Sequence, residues 1–474
     1  MIKRLNGRSL SIVIFSLYFS WLLAFPFEGQ ILYAFGNKYE LNVSLMVFGS
    51  IAAHFIGLIS AGFFIKSENN ARIFMLISIV FVIAGNSVFF FSPSFFWYVS
   101  LVITSFLAGG SVAAWGFFYK KFTPYNERLK TAADVLIYSN ILMIVLNMTA
   151  IHISPDIGLV FAQILLVTAL FFVFKLPVGA RIDKKPHLKL IKSTNSLKPL
   201  ISLCVFIFLV TINSGLMYQV INPAFVHLKS IVSWYWAVPY IIAIYIIRNL
   251  PARISRTYLL FIAIAMVGLA FLFFMILDHS APSYFLVNTL MLGACGVFDI
   301  FWWSIIGAML DFYNNPAKIL GLGLSTNVLG VLAGGMVGNA IVSMSEQRYN
   351  PSVLALIVVF TVLIILPLLH KQLSLFLKKH IFLSPLLEIS LGEENEQVNT
   401  MNNLMMKSNL TDREKEITEL LLKGRTYKLI ADELHLSENT VKTHIKNIYS
   451  KLNVQSKTEL IKLLGDKEQS VSGQ

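Results

Sequence analysis

Charge is what this sequence has least of. Asp, Glu, Lys and Arg together make up 13% of its 474 residues, about half the roughly 25% usual in a soluble protein. That deficit excludes a water-soluble enzyme as the main body of the chain. Cysteine is scarcer still. Cys204 and Cys295 are the only two; both sit inside apolar runs and read as small core residues, so neither a disulfide framework nor a cysteine-based metal site is encoded. No nucleotide-binding loop, kinase or receiver segment, or cluster of metal ligands is recognisable. The expectation is a non-enzyme without cofactor or metal.

Apolar residues fill the space. They make up 56% of the chain, and mean hydropathy is +0.70. Runs long enough to span a bilayer recur at 10–34, 42–65, 72–92, 95–119, 133–152, 156–174, 199–220, 231–247, 257–277, 283–310, 319–344 and 351–369, twelve in all. The first is too long for a cleaved signal sequence, and no small-residue cleavage pattern follows it, so it is expected to stay in the membrane.

The formal net charge of +13 would ordinarily suggest an acidic partner. Its distribution suggests orientation instead. Residues 1–389 hold 26 Lys/Arg and 12 Asp/Glu, a balance of +14, while residues 390–474 hold 12 and 13, a balance of −1. With the N-terminus inside, the membrane part places 23 Lys/Arg on inner connections and only Lys38, Lys229 and Arg348 outside. This positive-inside asymmetry is expected to put both termini in the cytoplasm.

A basic connection at 175–198 divides the spans into two sets of six. The fourth carries Gly109 and Gly110, and the tenth carries Gly293 and Gly296. Matched small-residue clusters are what a 6+6 internal repeat produces. Twelve spans, a central basic loop and this repeat resemble the major facilitator superfamily over about residues 10–370. That resemblance implies an all-α, twelve-helix transmembrane bundle around a central cavity. The family's Gly-x-x-x-Asp signature between spans two and three is not intact. Gly62 matches, but Lys66 stands at the acidic position, and Asn69, Asn70 and Ala71 follow. In the family this motif helps control alternating access, so its loss weighs against transport and leaves the fold expectation intact.

Ionisable groups within spans are costly and therefore informative. Asp299, near the middle of the tenth span beside Trp302 and Trp303, reads as a ligand contact with flat apolar walls, or as an acid satisfied by neighbouring helices. His54 near the midplane of span two is a ligand or proton-sensing residue, or a neutral core histidine. Glu28 faces a cavity mouth or water. Asn213 in span seven is a weaker cavity candidate. Asp134 and Asp311, at inner ends, read as solvated or paired with loop Lys/Arg. Trp234, Tyr235 and Trp236 read as an interfacial aromatic belt.

Beyond the spans, 371–389 reads as a helix along the inner membrane surface and 390–409 as a polar linker. A compact helical module follows. Thr411 with Glu414 makes a capping box, and Gly424 is placed to end the helix. A second helix covers about 427–435, Ser437 caps a third that runs to about Leu452, and Ser456 with Glu459 opens a fourth. Residues 410–464 resemble the LuxR-type DNA-binding domain through Leu410, Thr411, Arg413, Glu414, Gly424, Ile430, Ala431, Leu434, Ser437, Thr440, Val441, Lys442, His444, Ile448, Lys451, Leu452 and Val454.

In that family the third helix of this helix-turn-helix enters the DNA major groove. Carried over by position, the resemblance implies that Lys442, Thr443 and Lys446 meet bases or nearby phosphates. Lys451 and Lys457 would meet the backbone, with second-helix contacts starting at Thr426, and the fourth helix would dimerise. Binding of protein instead of DNA stays open at this stage. Residues 1–370 are then expected to be a sensor domain, 371–409 a juxtamembrane segment and linker, 410–465 the DNA-binding domain and 466–474 a tail. The combined expectation is a membrane-integrated one-component transcriptional regulator. Its partners would be the lipid bilayer, an unidentified small molecule, and double-stranded DNA bound as a homodimer. The alternative is a secondary transporter with an appended regulatory domain.

Overall fold

The structure, a computed structural model, describes residues 6–179, 198–251, 256–343, 351–377, 382, 410–422, 426–434, 436–452, 454–456 and 459–460. The chain divides into two compact units, Met1–Ser384 and Pro385–Gln474. Among the described residues every regular element is helical.

Among its described residues the first unit contains twelve helices long and apolar enough to cross a membrane. They begin at α1 (Gly7–Ala24), α3 (Ser44–Phe64), α4 (Glu68–Asn86), α5 (Phe95–Phe122), α6 (Arg128–His152) and α7 (Pro155–Phe174). The second six start with α8 (Lys198–Leu216), which runs through a π turn at Met217–Ile221 into α9 (Asn222–Ala224). Then come α10 (Lys229–Tyr235) continuing into α11 (Val238–Asn249), and α12 (Thr257–Ile276), α13 (Ala281–Met309), α14 (Pro316–Ser343) and α15 (Pro351–Phe376). Their starts follow local chemistry. Asn6 accepts from the Ser9 amide at 2.8 Å, Ser67 accepts from Asn70 N, and Ser154 caps a helix whose first residue is Pro155.

Two spans differ from the sequence expectation. The first run, read to residue 34, breaks after Ala24 and resumes as α2 (Gln30–Lys38). Pro26 disfavours helical backbone at Phe25, and a Cβ at Gly29 would collide with the Ala24 carbonyl. The last span, read to 369, continues past Lys371 to Phe376 despite Pro367. The remainder of the expected surface helix, 378–381 and 383–389, the linker 390–409 and the tail 466–474 lie outside the described residues.

Glycines set the tightest crossings and display the repeat. A Cβ at Gly109 would meet the backbone of His54 and Leu58, and one at Gly296 would meet the Tyr240 carbonyl. Each locks the fourth span of its half onto the second, α5 on α3 and α13 on α11. The halves meet along α3–α14 and α6–α11. At the α3–α14 crossing Gly62 lies against Lys318, and Asn315 Nδ2 donates to the Gly62 and Ile65 carbonyls at 2.9 and 3.1 Å. An asparagine from the second half thus caps the first-half helix whose signature motif is missing.

The second unit has its own core of Leu410, Ile417, Leu421, Ile430, Ala431, Val441, Ile445, Ile448, Val454 and Leu460. Three helices supply most of it: Asp412–Leu422, Tyr427–Glu433 and Glu438–Leu452. Of the expected fourth, residues 459 and 460 are described, and both are helical.

Candidate functional site

The membrane unit encloses a cavity of about 170 Å³ between its halves. Glu28, His54, Asp299, Trp302 and Trp303 all line it. Asn213 does not. Helical geometry explains why: at about 100° per residue, Val210, Thr211, Ser214, Met217 and Tyr218 share the lining face, and Asn213 is turned away from it. Several lining residues carried no earlier assignment: Gln30, Asn140, Asn147, Tyr218, Tyr240 and Asn327. Asn140, Met143 and Asn147 follow the i, i+3, i+7 pattern of one helical face, which was the available signal. Trp236, read as part of a belt, and Cys295, read as core, also line the cavity.

Each acidic group is held by a phenol. Tyr240 Oη donates to Asp299 Oδ2 at 2.6 Å, and Tyr33 Oη donates to Glu28 Oε2 at 2.6 Å. Glu28 has φ +56°, left-handed backbone that a glutamate adopts only where its surroundings impose it. The neighbouring turn is tied down, with Ser50 Oγ donating to the Pro26 carbonyl. His54 Nδ1 lies 3.3 Å from the Ser105 carbonyl. A carbonyl only accepts, so Nδ1 carries the hydrogen and Nε2 of the neutral ring is an acceptor.

One end of the cavity continues into a vestibule of about 650 Å³, with Glu28, Gln30, Tyr218 and Trp236 shared between the two. The opposite end is shut by ion pairs that cross between the halves. Arg248 Nε meets Asp134 Oδ1 at 2.6 Å, and Arg128 reaches Asp311 Oδ1 at 2.9 Å and also donates to the Gly307 carbonyl. Arg8 joins from α1, 2.7 Å from Glu127 and 3.8 Å from Asp134. Asp134 and Asp311 are therefore paired, as the sequence allowed.

In the second unit, the capping box forms as read. Thr411 N donates to Glu414 Oε2 at 2.8 Å, and Glu414 N donates to Thr411 Oγ1. Thr426 is exposed and caps the second helix through Leu429 N, and Ser437 Oγ accepts from Thr440 N at 3.0 Å. On the third helix Val441, Ile445 and Ile448 are buried, which leaves Lys442, Thr443 and Lys446 exposed on the other side. Lys442 and Lys446 flank a shallow groove with Tyr427 and Tyr449. Lys442 pairs with Glu438 at 2.9 Å with both side chains about half exposed, a contact weak enough to yield to phosphate. Lys451 is engaged more firmly, 2.6 Å from the buried Glu414 carboxylate. Burial pushes the Glu414 carboxyl up, but bonds from Lys451 and Thr411 outweigh it and hold the carboxyl below the ordinary range. Lys457 lies outside the described residues.

Known proteins match the two units separately. The membrane unit is similar to the human organic anion transporter MFSD10 (TM-score 0.57, 16% identity, covering 77% of this chain and 98% of that one). It is also similar to FucP, a major facilitator superfamily transporter in the outward conformation (TM-score 0.55, 14% identity, 76% and 98%). A bacterial homologue of the iron transporter ferroportin, in an outward-facing state, is similar at TM-score 0.57, with 13% identity and coverage of 77% and 100%. These likenesses establish the fold. Residues 408–464 match the family model for bacterial regulatory proteins, luxR family. The response regulatory protein YgeK of Escherichia coli is 55% identical over 53 residues, 11% of this chain and 36% of its own length. The spore germination protein GerE of Bacillus subtilis is 46% identical over 52 residues, 11% of this chain and 70% of its own length. The match to YgeK thus spans about a third of that relative. A DNA-binding regulator domain is joined to a transporter-like, multi-pass membrane unit, and through that domain the chain belongs to the luxR family of bacterial regulatory proteins.

Proposed function

We propose that this chain is a membrane-integrated one-component transcriptional regulator, in which a small molecule entering the membrane cavity controls the DNA-binding module. The observation that carries the reading is the union, in one chain, of a largely apolar cavity with two carboxylates, set between two six-helix halves, with a luxR-family domain. The proposed segments are a sensor over 1–370, a juxtamembrane segment and linker over 371–409, with the linker itself at 390–409, the DNA-binding domain over 410–465 and a tail over 466–474. The 23-to-3 split of Lys/Arg supports cytoplasmic termini, and the bacterial luxR-family domain supports a bacterial inner membrane.

Glu28, His54, Asp299, Trp302 and Trp303 are the proposed ligand contacts. Lys442, Thr443 and Lys446 are the proposed contacts to bases or nearby phosphates, Lys451 and Lys457 the proposed contacts to the DNA backbone, and Thr426 the start of the second-helix contacts. A linker of twenty residues spans on average only ~25 Å, so the module stays near the membrane and DNA comes to it. Binding to two half-sites as a homodimer fits the family's use of its fourth helix. The ligand acts by preferring one arrangement of the halves, and the ion pairs at the closed end are the contacts that a rearrangement would break.

The same cavity, vestibule and closed end also suit a secondary transporter that carries a regulatory domain. Two assays on one preparation separate the readings: transcription from a bound promoter, and solute accumulation in proteoliposomes. The regulator reading expects ligand-dependent transcription without sustained uptake. Uptake abolished by Asp299→Ala, with transcription indifferent to the solute, would overturn it.

A further inference from the structure

We propose that the membrane cavity binds a small organic cation, an ammonium group attached to an apolar body; this deepens the sensor reading and rests on it. The lining holds two carboxylates, Glu28 and Asp299, and neither Lys nor Arg. The vestibule has two cations among its described residues, Lys38 and Lys229, and Lys38 is bound to Asp156 at 2.6 Å. Placing two acids in a bilayer-embedded cavity is costly unless something compensates them. Glu28 accepts at both oxygens, from Tyr33 Oη at 2.6 Å and from Gln219 Nε2 at 3.5 Å, but at Asp299 only Oδ2 is taken, by Tyr240, and Oδ1 accepts no bond among the described residues.

The other polar groups also suit a cation. His54, with its hydrogen at Nδ1, presents Nε2 as an acceptor. Aromatic side chains line the same cavity as the acids, with Trp302 parallel to Phe298 and Trp303 edge-on to Phe19. Such faces attract ammonium groups through their quadrupoles.

Two buried polar atoms in the lining have no partner. Trp302, 2% exposed, leaves Nε1 without an acceptor, and Asn147, 4% exposed, leaves Oδ1 without a donor. Buried polar groups are nearly always satisfied. Both atoms are closed off from the cavity by the packed helices, so they do not specify the chemistry of its occupant, which rests on the carboxylates. A bare metal ion fits poorly, because the described residues contain no group of three or more His, Cys, Asp or Glu able to hold one. An anion would meet no positive charge in the lining.

The test uses the full chain in lipid nanodiscs, following thermal stability and tryptophan fluorescence. The probes are methylammonium, tetramethylammonium and 2-phenylethylammonium, with 2-phenylethanol and phenylacetate as matched neutral and anionic controls. At least one cation is expected to raise the melting temperature and quench fluorescence at millimolar concentration, with both controls inert. Asp299→Asn and Glu28→Gln should each weaken that binding by about tenfold or more. A larger response to alcohol or carboxylate than to the cations, or no response to any cation, overturns the proposal without needing a variant that folds. A promoter reporter separates the two readings. Cation binding that leaves transcription unchanged would remove the sensor and keep the cation site; transcription responding to a bound neutral or anionic compound would do the reverse.

Discussion

Glu414 joins two helices of the DNA-binding module through one carboxylate. It closes the capping box with Thr411 and, at 2.6 Å, anchors Lys451 from the far end of the third helix. The box was legible in the sequence because its partners are three residues apart. The Lys451 bridge spans 37 residues and depends on how the helices pack, so no local pattern showed it. Because bonding holds the Glu414 carboxyl below the usual glutamate value, the unfolded chain binds a proton first as pH falls. This stabilisation is therefore complete above about pH 4.3 and is lost as pH drops through the lower folded-state value. Glu414→Gln is expected to lower the stability of the C-terminal unit by about 1 kcal/mol near neutral pH and to flatten that acid-side loss, read by thermal unfolding across pH. On the exposed face, Lys442→Ala and Lys446→Ala leave the core untouched. Each should reduce the salt dependence of DNA binding by about one unit if it meets phosphate, or cost about 1–3 kcal/mol at a single base position if it reads an edge. Anisotropy titrations at several salt concentrations distinguish the two.

At the level of elements, helix identity was the most legible property, because twenty-residue apolar runs have few alternatives in lipid. Which face each helix turns to the cavity was much less so. Spans are apolar on every side, so periodicity is faint, and Asn213 was assigned to the cavity while Asn140 and Asn147, on α6, were passed over. The break after Ala24 had its signals in Pro26 and Gly29, but apolar residues on both sides of the turn let the run be read straight through it. Glycine positions carried firmer geometric content. A side chain on Gly215 would run into the Val331 carbonyl and the backbone of Gly335, so Gly215→Leu should separate α8 from α14 and abolish monodisperse purification. Asp134 takes charge from both Arg248 and Arg8. Asp134→Asn should therefore loosen the closed end, and a cysteine placed behind it should react faster with a water-soluble thiol reagent. An unchanged rate would show that these pairs do not hold the halves together.

For the whole molecule, the two units follow different physical rules. The membrane unit is specified by hydropathy and small-residue contacts, which leave its ligand open. The C-terminal unit is specified by caps, a compact core and a charged face, which is why residues 410–464 could be matched at many fixed positions. Under the proposed reading, joining them limits where the regulator acts, because a DNA-binding domain tethered to a membrane unit by a short linker reaches only DNA brought to the membrane. Genome-wide DNA occupancy of the intact protein in cells, compared with the Lys442→Ala/Lys446→Ala double variant, tests this most directly. Discrete sites for the intact protein, lost in a variant that still fractionates with the membrane, are the predicted result. Occupancy without discrete sites, or sites unchanged in the double variant, would contradict a membrane-integrated regulator that binds DNA through its third helix.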